Sequence, residues 1–61
     1  MRTKAQIVRF ATEIEMTLED YADLDQSEVI GELVEIVRRD AELTTQELEL
    51  LNDILSDRGL I

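Results

Sequence analysis

Carboxylates are the only abundant reactive groups in this chain. Its 61 residues hold fifteen Asp and Glu against six Lys and Arg, with no His, Cys, Pro or Trp, for a net charge of −9 at pH 7. Paired carboxylates can act as general acid and base, but only where burial or a close neighbour separates their pKa values inside a cleft. A chain this short encloses little cleft volume. The helical carboxylate di-metal site needs a Glu-x-x-His arrangement, and there is no His to complete one. Ser27, Ser56, Tyr21 and the threonine hydroxyls lack an imidazole to activate them, and no glycine-rich phosphate loop is present. The absence of Cys removes thiol nucleophiles, zinc fingers and disulfides.

Calcium is the remaining chemistry to test, because the densest acidic stretch runs Asp20-Tyr21-Ala22-Asp23-Leu24-Asp25-Gln26-Ser27-Glu28. An EF-hand loop begun at Asp23 places Glu28 where the turn requires Gly, and Val34 where a bidentate Glu closes the cage. The spacing fails. The expectation is therefore a chain that is not an enzyme, with no catalytic, cofactor-binding or metal-binding residues.

Three helices position these acids. Ile7, Phe10, Ala11, Ile14, Leu18 and Tyr21 recur at spacings of three and four, which gathers them on one face of a helix and would scatter them over both faces of a strand. Thr3 with Gln6 forms a capping-box pair, so the first helix is predicted over about 4–21. Asp25 with Glu28 repeats that grammar, with Leu24 and Val29 as a hydrophobic staple, and starts a second helix over about 26–39. Its apolar residues Val29, Ile30, Leu33, Val34, Ile36, Val37 and Ala41 span roughly 160°, wider than the ~100° of a simple surface helix. A stripe that wide predicts a central helix with two neighbours. Arg38 and Arg39 suit its C-terminal carbonyls. Gly31 lies within it, where it costs about 1 kcal/mol relative to Ala; a close approach of neighbouring backbone would explain it.

Thr44 and Glu47 cap a third helix over about 45–57, with Leu43 and Leu48 as staple. Gly59 followed by Leu60 fits a Schellman ending in which Leu60 folds back onto Leu55. The prediction is an all-α fold, a small antiparallel three-helix bundle forming a single helical domain over 1–61. A core of this size is only just sufficient for a lone chain, so a partner surface becomes relevant. No apolar run reaches the roughly 18 residues needed to span a bilayer, and no signal-peptide pattern opens the chain, so a soluble, cytoplasmic protein without membrane contact is expected.

Charge is distributed unevenly along this frame. From Phe10 to Val37 there are nine acids, Glu13, Glu15, Glu19, Asp20, Asp23, Asp25, Glu28, Glu32 and Glu35, and no base, while Arg2, Lys4 and Arg9 gather at the start. Glu28, Glu32 and Glu35 fall within about 60° of one another, with roughly 5–6 Å between successive side chains. That interval is near the phosphate spacing of a nucleic-acid strand. Direct binding to nucleic acid or an anionic membrane is disfavoured, since affinity for phosphates comes from Lys and Arg.

The functional expectation is a non-catalytic acidic protein-binding module, a small regulator or inhibitor docking on the basic surface of a larger, nucleic-acid-handling protein. Asp25 serves a helix start, and the remaining eight acids form the expected partner face. Small acidic inhibitors carried by bacteriophages, and nucleic-acid mimics, share this general character, an analogy of size and charge that no motif here carries. The alternative is a homodimer or adaptor subunit. On that reading Val8 and Met16, away from the main stripe of helix 1, and Leu50 and Ile54, which widen the stripe of helix 3, are apolar positions that a second chain would cover.

Overall fold

The computed structural model describes residues 1–61 and contains three α-helices, α1 (Lys4–Glu19), α2 (Gln26–Asp40) and α3 (Thr45–Asp57), and no strand. It is a small antiparallel three-helix bundle, 72% helical. Both Thr-led capping boxes form. The Thr3 backbone N–H donates to Gln6 Oε1 at 2.8 Å while the Gln6 N–H donates to Thr3 Oγ1, and Thr44 and Glu47 exchange the same pair of bonds at 2.9 and 3.1 Å. Each box satisfies two amide donors that the first turn of a helix leaves unpaired.

At the start of α2 Asp25 caps as predicted, but the box with Glu28 does not form. The Asp25 carboxylate accepts from the Ser27 N–H at 3.1 Å, and Glu28 stays exposed, contributing a negative charge to the first turn instead. Helix α1 ends at Glu19, two residues short of the expected end. The physical reason lies in the following turn. Gln26 Nε2 donates to the carbonyls of Tyr21 and Leu24, at 2.6 and 3.1 Å, so those groups find partners without a continued helix. Tyr21, expected on the buried stripe, is consequently 45% exposed.

Packing revises the predicted arrangement. The core is Ile7, Ala11, Ile14 and Leu18 of α1 with Ile30 of α2 and Leu51 and Leu55 of α3. Helix α1 packs against both of the others, while α2 and α3 scarcely meet, so α1 is the central helix and α2 is not. Of the wide apolar stripe on α2 only Ile30 is fully buried. Gly31 has open space around it rather than a neighbouring backbone, so it serves no close helix approach.

Both later helices end in Schellman turns. At α3, Gly59 has φ 74°, the Leu60 N–H reaches the Leu55 carbonyl at 2.9 Å, and Leu60 packs on the core, as its sequence predicts. At α2 the Leu43 N–H reaches the Arg38 carbonyl at 3.0 Å, and the left-handed position is taken by Glu42, at φ 53°. No helix is long and apolar enough to cross a membrane.

Candidate functional site

The acids between Phe10 and Val37 divide into two that are neutralised within the chain and seven that are not. Glu15 receives Arg58 Nη1 at 3.3 Å, and Glu35 is bridged by Arg38, whose Nε lies 3.1 Å from both carboxylate oxygens. The hydrogen-bonded Arg38 guanidinium holds the Glu35 carboxyl below its ordinary range, and the charge of Arg39 acts in the same direction. Glu13, Glu19, Asp20, Asp23, Asp25, Glu28 and Glu32 have no cation within ion-pair distance, and all are exposed. They lie on α1, on the turn after it and on α2. No group of three or more carboxylates converges in a way that could hold a metal ion.

Beside these acids the surface is apolar. Two shallow clefts of about 190 Å³ each open along α2. Tyr21, Leu24, Val29 and Glu32 line the first, Glu13, Ile14, Thr17 and Val37 line the second, and Leu33 and Ile36 form the ridge between them. Leu24 is 57% exposed and Ile36 43%. Ligand pockets for small molecules typically enclose ~300–1,000 Å³, so each cleft is sized for a side chain rather than for a cofactor.

The helix geometry gives these clefts a definite side. Glu13 and Thr17 stand roughly 100–160° around α1 from Thr12 and Glu15, the two residues that Arg58 at the end of α3 contacts. The clefts therefore open on the flank of α2 away from α3. Of the α2 stripe, Ile30 and Val34 face the core, Val29, Leu33 and Val37 pack on the core while also lining the clefts, and Ile36 lies in the clefts alone. The second neighbour that the stripe's width predicts is absent from this chain.

The apolar positions singled out on helices 1 and 3 are placed differently from one another. Leu50 and Ile54 pack against the core and are half-buried, Val8 is half-buried, and Met16 is 64% exposed. Three exposed apolar side chains, Tyr21, Leu24 and Ile36, thus gather at the clefts beside α2. The stripe width points to a central helix, and only tertiary packing shows that α1 takes that place and leaves one side of α2 open.

At the opposite end of α2 the structure assembles a polar cluster that spacing in the sequence does not reveal. Glu47 is only 3% exposed and accepts from the backbone N–H groups of Thr44 at 2.9 Å and Arg2 at 3.0 Å. Arg2 Nη1 lies 3.4 Å from the same carboxylate, Nη2 donates to the Ala41 carbonyl, and the guanidinium stands 5.6 Å from the centre of the Phe10 ring. Donation from Thr44 first, then from the Arg2 backbone, pulls the Glu47 pKa down to about 2. This cluster joins the N-terminus to the end of α2 and the start of α3, and it leaves Lys4 and Arg9 as the unpaired cations of the chain's basic start. Comparison with protein-family models, curated proteins and solved structures gave no match.

Proposed function

We propose that this chain is a non-catalytic protein-binding module, a small regulator or inhibitor whose acidic surface docks on a basic site of a larger protein that handles nucleic acid. The observation that carries the reading is the set of seven exposed acids without an intramolecular cation, spread over α1, the turn and α2. Of these only Asp25, the cap of α2, and Glu28, in its first turn, have a local role at a helix start. A basic surface built to bind phosphates supplies cations from outside, and complementary fields raise both association rate and specificity. In this reading the module acts on a protein and does not itself contact nucleic acid.

The test has two steps. Affinity capture from the source cell, at low and at high salt, names the partner; titration calorimetry then compares wild type with the Glu28→Lys, Glu32→Lys, Glu35→Lys triple variant. The expected result is at least a ~10-fold loss of affinity, equivalent to about 1.4 kcal/mol, and a Kd that rises steeply with salt. Unchanged affinity in the triple variant overturns the reading.

Exposed Met16, together with the uncovered apolar flank of α2, supports a second reading, a homodimer or adaptor subunit in which the acids only maintain solubility. Sedimentation at high concentration separates the two, because that reading requires a concentration-dependent mass and the first expects a monomer.

A further inference from the structure

We infer that the cleft-bearing flank of α1 and α2 is the seat of a cationic amphipathic helix supplied by the partner, a step that rests on the protein-binding reading above and assigns it a specific contact. Three independent features converge here. The α2 stripe is wide enough for two helical neighbours and has one. Its outer edge presents half-buried Leu33 and exposed Ile36 as a ridge between two hollows that each fit a side chain, the surface relief by which a helix docks residues spaced three and four apart. Charge then selects the occupant. Glu32 lines one hollow and Glu13 the other, while Glu28 stands on the side of α2 beside Val29 and no unpaired cation lies between Phe10 and Val37.

A second copy of this chain is a poor occupant, because each copy carries −9 and the flank is bordered by acids on both helices. Like charges brought together across an interface oppose association. A neutral apolar helix would leave those acids beside an uncharged surface without compensation. A helix with leucine-like side chains along one face and Lys or Arg flanking them satisfies both the hollows and the rim. At ~1.5 Å per residue, a segment of about 15 residues matches the length of α2.

The experiment uses the intact protein and three synthetic peptides of about 16 residues. One is a lysine–leucine peptide with leucines at helical spacing, one is its scrambled isomer of identical composition, and one is the glutamate–leucine counterpart. Binding is read by fluorescence anisotropy and by chemical-shift changes in the protein. The inference expects saturable binding of the first peptide, with the largest shifts at Leu24, Leu33 and Ile36, and binding of the scrambled isomer weaker by about tenfold or more. Ile36→Ser and Leu24→Ser, at positions already exposed, should each weaken binding by roughly fivefold while circular dichroism shows the fold retained.

Equal affinity for both lysine peptides overturns the helix seat and leaves acidic docking in place. Equal affinity for the glutamate peptide overturns the charge selection. Shifts at the same residues produced by raising the protein concentration alone would assign the flank to a second copy. Failure of every cationic peptide to bind at low salt overturns this inference and the docking reading together.

Discussion

At the scale of single residues, Glu47 shows how a helix cap becomes a tertiary anchor. As an isolated cap its carboxylate would bond one amide; here it accepts from Thr44 and from Arg2, 45 positions earlier in the chain, under near-complete burial. Its folded pKa, about 2, lies below the ordinary 4.5, so folding favours its ionised form. The stabilisation from that preference is fully present above pH ~4.5 and is lost as pH falls through about 2, since the two amides use different carboxylate oxygens and protonation turns one of those acceptors into a donor. Acid also reduces the net negative charge of the whole chain and its self-repulsion, which acts in the opposite direction, so wild type alone does not isolate the effect. Glu47→Gln does. Wild type should melt higher than Glu47→Gln at pH 7, and the gap in Tm should close progressively between pH ~4.5 and ~2 in thermal scans. A gap independent of pH would mean that the contribution of Glu47 is one of shape rather than charge.

At the scale of the helices, capping chemistry was the most legible part of the chain. Thr3 with Gln6 and Thr44 with Glu47 specify their helix starts through bonds spanning three residues, and Gly59-Leu60 specifies an ending the same way. Such signals need no tertiary context. The end of α1 and the role of α2 were less legible because they depend on it: Gln26 redirects the carbonyls of Tyr21 and Leu24, and apolar width on α2 cannot distinguish two neighbours from one neighbour and an open flank. Likewise, Arg2 read as part of a basic start, and only folding pairs it with Glu47. Two positions also depart from what their local conformation favours. Gly31 occupies a helix interior with free space for a side chain, and Glu42 holds a left-handed conformation better suited to Gly. Gly31→Ala should stabilise the fold by about 1 kcal/mol. Glu42→Gly should stabilise it by roughly 0.5–1 kcal/mol, the relief of left-handed strain less the entropy cost of glycine. Urea denaturation measures both, and Glu42→Gln, which removes the charge but keeps the strain, should recover little of the second gain.

For the whole molecule, charge opposes folding and promotes recognition, so one variable should move the two in opposite directions. The net −9 is confined within a radius of gyration of 10.9 Å, close to the ~10 Å Debye length at 0.1 M salt and well inside the ~30 Å at 0.01 M. At low salt nearly every acid therefore repels every other across the folded chain, a penalty the expanded chain escapes in part. The internal ion pairs Arg58–Glu15 and Arg38–Glu35 lie at the surface and offset little of it, since water and salt screen such pairs and holding them costs side-chain entropy. Adding sodium chloride from about 0.01 to 0.5 M should raise Tm by screening the repulsion, while the same addition weakens binding to the basic partner or to the lysine–leucine peptide. Calorimetric scans and binding titrations on the same samples check both halves. A Tm that falls with salt would show that attraction within the three internal ion pairs outweighs the repulsion among the remaining acids. The unpaired carboxylates would then exert too weak a field to steer a partner, and the uncovered flank of α2 would have to recognise its occupant by shape alone.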